Sequence, residues 1–146
     1  MDLAATARAV CADYAQAAWQ RTGEIAVDAP EHLALAGHAV LLDLALRNLV
    51  ENALRHTPRG TRIAVQLGQA EGGAVWLQVC DDGRRMPAGA NQPPEVRPVD
   101  SLHLGHEIVK RVAEMHGGTF GPAVAPAPFT TCYRLDFPSP ARVAGG

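Results

Sequence analysis

No apolar run in the sequence approaches the roughly 20 residues that a helix needs to cross a bilayer. The N-terminus, MDLAATARAV, carries an early acid and no secretory pattern, so the chain reads as soluble and without membrane contact. Basic runs are missing too. Thirteen Lys and Arg are scattered against fifteen acids, and a net charge of −2 leaves no electrostatic footprint for gripping nucleic acid. The cysteines, Cys11, Cys80 and Cys132, are odd in number, far apart and outside any C-x-x-C pair. They indicate neither a disulfide framework nor a zinc site, and they suit a reducing cytoplasm. There is no internal repeat and no sign of a second domain. A length of 146 residues at 47% hydrophobic and 19% charged suits one globular domain.

What is present is a succession of helical and strand periods. From Asp2 to about Arg21, residues Leu3, Ala7, Val10, Tyr14, Ala17 and Ala18 recur at intervals of three and four, the period of an amphipathic helix. Glu24 to Asp28 alternates as a short strand that Asp28-Ala29-Pro30 stops, and a second helical run extends from about His38 to His56. Strands over 61–67 and 74–80 flank a Glu71-Gly72-Gly73 turn and predict a hairpin. Residues 81–100 hold Pro87, Pro93, Pro94 and Pro98, a composition for a long loop. A third helix from about Leu104 to His116 is capped by Gly117-Gly118, and a last strand covers 130–137. This order predicts an α/β sandwich, with helices on one face of a mixed sheet.

On the second helix Leu42, Leu46, Leu49 and Ala53 fall within about a sixth of a turn and form a core stripe. Asn48, Asn52 and Arg55 cluster on another flank. A carboxamide oxygen is a hard, neutral ligand suited to Mg²⁺, and a guanidinium donates to phosphates. Two asparagines four apart in an arbitrary helix more often lie on a solvated flank, and the spacing alone decides nothing. Glu51, rotated about 100° from Asn52, reads as surface.

The longer string Asn48-Leu49-Val50-Glu51-Asn52-Ala53-Leu54-Arg55-His56-Thr57-Pro58 resembles the N box of bacterial sensor histidine kinases, N-L-x-x-N-A-x-K/R-Y/H-[ST]-P, at eight positions. The resemblance implies the ATP-binding catalytic domain of the GHKL superfamily over residues 1–137. Its fold is the Bergerat two-layer α/β sandwich, a mixed sheet with three helices on one face. It further implies that Asn52 coordinates Mg²⁺, Asn48 assists or holds a water, Arg55 contacts phosphate and His56 lies against the nucleotide. Relatives that hydrolyse ATP commonly place a glutamate at the position of Asn48. A carboxamide has no useful proton affinity near pH 7, so transfer of the γ-phosphate to a histidine is the more natural chemistry.

The family's Asp-x-Gly-x-Gly box is matched by Asp81 and Gly83, with Arg85 replacing the second glycine. By resemblance Asp81 accepts from the adenine amino group and Gly83 lets backbone approach the base. Asp-Asp-Gly on its own is also an ordinary turn. The next motif, G-x-G-L-G-L-x-I-V, reads Ser101-Leu102-His103-Leu104-Gly105-His106-Glu107-Ile108-Val109, and keeps Leu104 and one glycine, Gly105. His103 stands at a glycine position, where it either bonds phosphate or obstructs it. The ATP lid is expected over about 84–101, short and without the aromatic F box, and 138–146 is expected to be a disordered tail.

No phosphoacceptor hairpin is visible, so the resemblance implies a partner hairpin elsewhere, a response regulator, and a cytoplasmic position in a membrane-anchored protein. The altered glycine boxes leave an alternative: a degenerate module with weak or no ATP binding that regulates or docks. The remaining residues have plain readings. His32 and His38 sit in a polar segment, His106 in a solvated first turn, His116 at a helix end that favours a cation, and Met115 and Trp76 in packing roles.

Overall fold

The computed structural model describes residues 1–83 and 101–139, and the side chains of all of these except 101–105. The chain runs through α1 (Leu3–Gln20), β1 (Glu24–Asp28), α2 (Ala39–Arg55), β2 (Arg62–Gln69), β3 (Val75–Asp81), α3 (Ser101–Met115), β4 (Thr119–Pro122) and β5 (Thr131–Phe137). The sheet order is β1-β2-β3-β5-β4, with β1 parallel to β2 and every other pair antiparallel. It is the mixed-sheet α/β sandwich that the element order predicts.

Alternation along the strands decides which face is covered. Ile63, Val65, Leu67, Val75, Leu77, Val79, Leu135 and Phe137 join one buried cluster with Leu3, Val10, Leu42, Leu46, Leu49, Val109 and Val112 of the helices. Their neighbours Gln66, Gln78, Trp76, Arg134 and Asp136 occupy the other face. There the Gln78 amide donates to Gln66 at 2.8 Å, and the Arg134 guanidinium lies 5.0 Å from the Trp76 ring. The predicted core stripe of α2 is buried along its whole length.

Each helix end has a local cause. Asp2 caps α1, its Oδ1 accepting from the amides of Ala4 at 3.0 Å and Ala5 at 3.4 Å. The same oxygen accepts from Leu33, and Oδ2 lies 3.0 Å from His32 Nδ1. His38 starts α2 without a side-chain cap; its amide instead donates to His116 Nε2 at 2.9 Å. The other ring nitrogen of His116 lies 2.7 Å from the Val112 carbonyl, so this histidine pins the end of α3 to the start of α2. Gly117, at φ +71°, takes the left-handed position predicted for the end of α3.

Several expectations shift. β4 has no counterpart among the predicted elements, because four residues containing Gly121 and Pro122 can form only a short edge strand. α3 begins at Ser101 rather than near Leu104, which puts Gly105 inside the helix. Met115 is exposed, and His106 is half-buried, its ring 4.4 Å from Tyr133 and 5.3 Å from Phe120. Cys80 and Cys132 stand directly opposite each other in the β3–β5 register and are joined as a disulfide, against the expectation of unpaired cysteines. The expected lid over 84–101 and the expected tail over 138–146 lie outside the described residues, apart from Ser101, Pro138 and Ser139.

Candidate functional site

The second helix carries the first half of the site. Asn48 lies half-exposed, and its Nδ2 donates to the Leu44 carbonyl at 2.8 Å, which leaves Oδ1 as the atom able to coordinate. One turn on, Asn52 is buried, and so is His56 just after the helix. Arg55 is exposed, and its guanidinium has no hydrogen-bond or ion-pair partner among the described residues. A cation in the last turn of α2 also complements the helix dipole.

Helix α1 clamps the opposite flank. Arg47 bridges Asp43 and Asp13, each at 2.6 Å, and those carboxylates hold its guanidinium more firmly protonated than usual. The Tyr14 hydroxyl donates to Glu51 Oε1. Partial burial and then the Glu51 bond push the phenol up to about 12. Glu51 is therefore a structural acceptor facing α1, not a bare surface carboxylate.

The second half comes from the end of β3. Asp81 pairs with Ile63 on one side and Thr131 on the other, so its side chain shares the helix-covered face with Leu77 and Val79, and it is fully buried. Its carbonyl accepts from the Thr130 amide at 2.8 Å. Asp82 points the other way, and its Oδ1 accepts from the Arg62 amide at 2.8 Å. Of the two aspartates, Asp82 performs the turn duty and Asp81 supplies a buried carboxylate.

Gly83 packs on the turn that follows α2: a Cβ there would stand 2.3 Å from Thr61 Oγ1 and 3.1 Å from Thr57 Cβ. Thr57 Oγ1 donates to the Ala53 carbonyl at 2.5 Å, and Thr61 Oγ1 to the Pro58 carbonyl at 2.7 Å. These threonines couple the two halves of the site. The sequence pattern assigns no role to Thr61, whose distant contact is the packing of Gly83 against it, or to Thr130, which bonds the carbonyls of Asp81 and Gly83. Arg85 lies outside the described residues, as do the side chains of His103, Leu104 and Gly105, whose backbone belongs to the start of α3. No group of three or more His, Cys, Asp or Glu able to hold a metal occurs among the described residues.

Residues 37–140 match the family model described as histidine kinase-, DNA gyrase B-, and HSP90-like ATPase. The chain is similar to sensor protein IrlS of Burkholderia pseudomallei, 35% identical over 111 residues, covering 69% of this chain and 24% of that protein. It is also similar to sensor protein BasS of Escherichia coli, 39% identical over 95 residues, covering 60% of this chain and 25% of that one. It thus spans about a quarter of the length of these relatives. Among solved structures, the mycobacterial sensor histidine kinase MprB aligns with a TM-score of 0.67 at 24% identity, over 95% of this chain and 97% of that one. The catalytic domain of histidine kinase ThkA aligns with a TM-score of 0.75 at 16% identity, over 95% and 94%. These structural likenesses carry the fold.

Proposed function

Because the chain belongs to the family of histidine kinase-, DNA gyrase B- and HSP90-like ATPases, and so is an ATP-binding domain, we propose that it is the catalytic domain of a bacterial sensor histidine kinase. In this reading it donates the γ-phosphate of ATP to a histidine on a separate dimerisation hairpin, from which a response regulator takes it. The domain lies on the cytoplasmic side of a membrane-anchored protein. Among the described residues no helix is long and apolar enough to cross a membrane. The relatives are named as sensor proteins, which supports a catalytic domain over a docking module.

The observation that carries this reading is the donor set on α2 and β3. Asn48 Oδ1, with its amide hydrogens turned onto Leu44, and Asn52 one turn away provide neutral hard oxygens for Mg²⁺. When bound, the ion neutralises phosphate charge during transfer. Arg55, free of protein partners among the described residues, supplies donors to the phosphates. The buried Asp81 carboxylate accepts from the adenine amino group, and the buried His56 ring borders the base. Gly83, Arg85, His103, Leu104 and Gly105 complete the proposed nucleotide contacts. With Asn at position 48, no side chain there can take a proton from water, so the site orients and holds phosphate for a histidine acceptor.

Titration with Mg·ATP, followed by calorimetry and amide NMR, tests the reading. The chain is expected to bind Mg·ATP, to bind ATP more weakly in EDTA, and to lose about tenfold in ATP affinity on Arg55→Ala, the weight of one hydrogen bond to a charged group. Adenosine binding should be unchanged in that variant. Spectra unmoved at saturating Mg·ATP would overturn it.

A further inference from the structure

The end of α1 and the turn after α2 lie backbone to backbone. The Arg21 guanidinium donates through Nη2 to the Thr57 carbonyl at 2.7 Å, and the Gly60 amide donates to the Arg21 carbonyl at 2.7 Å. Arg59 Nη2 donates to the Gln20 carbonyl at 3.1 Å. The approach is so close that a Cβ on Gly23 would stand 2.3 Å from the Thr61 carbonyl oxygen. Thr22, between Arg21 and Gly23, holds φ +58°. A β-branched residue in the left-handed region is costly and persists only where its surroundings over-determine it. Here they do: Thr22 N bonds the Trp19 carbonyl, Gly23 N the Ala18 carbonyl, and Thr22 Oγ1 the Arg21 carbonyl at 2.6 Å.

The contacts continue into the site. Thr57 follows His56 directly, and Thr57 and Thr61 form the wall against which Gly83 packs, two residues from Asp81. Arg21 therefore holds one end of a chain of close contacts that reaches both halves of the pocket. Its charge also lies just beyond the C-terminus of α2, where the helix dipole favours a cation. Beneath it is a cavity of about 10 Å³, lined by Ala18, Leu54, Thr57 and Ile63 among others. So small a void offers the turn little room to shift.

We propose that Arg21 is a positioning residue for nucleotide binding: it fixes the chain after His56 and, through Thr57 and Thr61, sets the α2 end of the pocket against Asp81 and Gly83. The proposal rests on the ATP-site reading given above. It assigns a role to α1 that a purely packing helix would not have, because a movement of the end of α1 is passed to the residues that hold the nucleotide.

The test compares Arg21→Ala, Arg21→Lys and Arg59→Ala in the full chain, by Mg·ATP calorimetry, amide NMR without nucleotide, and thermal melting. Arg21→Ala should weaken Mg·ATP about tenfold, as expected for one charge-assisted hydrogen bond. It should also shift the amides of His56, Thr57 and Gly83. Arg21→Lys, which keeps a charged donor for a single carbonyl, should recover most of the affinity. Arg59→Ala should lower the melting temperature without moving affinity more than about twofold, since its bond lies on the far side of the turn. Arg21→Ala that binds like the wild type overturns the proposal alone, as does an equal loss in Arg59→Ala. A wild-type chain that ignores Mg·ATP overturns the ATP reading and this proposal with it. Should Arg21→Ala fail to fold, Arg21→Met, which keeps the aliphatic stem and removes the donor, decides: weakened Mg·ATP with an unchanged melting temperature supports positioning, and affinity like the wild type, or a loss that only follows stability, opposes it.

Discussion

Gly83 rests against Thr61 so closely that a Cβ would meet its Oγ1 at 2.3 Å and its Cγ2 at 2.8 Å. Thr61 cannot swing away cheaply, because it is buried and its hydroxyl is committed to the Pro58 carbonyl. Gly83→Ala should therefore lower stability by about 1–3 kcal/mol, the range for overpacking a tight site. In a Thr61→Ala background, which removes both clashing atoms, the same substitution should cost markedly less. Urea denaturation of the four chains of this cycle measures the difference, and equal losses in both backgrounds would rule out the clash as the cause.

That contact also marks where the sequence stops being informative. Leu42, Leu46, Leu49 and Ala53 announce α2 because burial enforces a 3.6-residue period, and the polar flank with Asn48, Asn52 and Arg55 follows from the same geometry. The burial of Asp81 rather than Asp82 is a matter of strand register, which a one-residue error in the end of β3 conceals. β4 is too short and too rich in Gly and Pro to show alternation. Arg21 donates to a backbone carbonyl 36 positions away, and such a bond leaves no residue pattern at its acceptor. The pairing of Cys80 with Cys132 depends on β3 and β5 being neighbours across 52 residues. Local periodicity survives in sequence, and contacts between distant backbones do not.

Asp2 makes folding pH-dependent at the acid end. The bond to His32 first, then the Leu33 amide and the α1 amides, hold its carboxyl at about 2 against an ordinary 3.8. The unfolded chain thus takes up this proton at higher pH than the folded one. The contribution of Asp2 is present above pH 3.8 and is lost as pH falls towards 2. Asp2→Asn should flatten that part of the stability curve, as denaturant midpoints between pH 2 and 5 will show. A curve of unchanged slope would remove Asp2 from the explanation.

Tyr14 gives the opposite sign at the alkaline end. Desolvation, and then the hydrogen bond to Glu51, raise its phenol from 10 to about 12. Stability linked to the neutral phenol is complete below pH 10 and declines as pH rises towards 12. Glu51→Gln keeps an acceptor and the burial while removing the charge, so it should lower the Tyr14 midpoint only part of the way towards 10. Titration of ¹³Cζ-labelled tyrosine by NMR reads this directly. A midpoint that ignores the substitution would leave the shift to burial and the hydrogen bond, with no part for the Glu51 charge.

The cysteines offer a covalent test of the strand order. Cys80 on β3 and Cys132 on β5 occupy paired register positions, both buried, so their bond exists only if those two strands are neighbours with that alignment. Cys11 is a buried thiol on α1, pushed up to about 11 by desolvation, which keeps it from forming the reactive thiolate. Protein purified without reductant should therefore show almost no reactive thiol when folded and one per chain when denatured, rising to three after dithiothreitol. Reduction should lower stability by up to about 4 kcal/mol, the chain-entropy value for a loop of this length, and peptide mapping should join the segments containing residues 80 and 132. Three reactive thiols in denatured, unreduced protein would mean that the two sulfurs are not bonded. The register would then have to be checked by a separate cross-link, because paired positions remain close whether or not the bond forms.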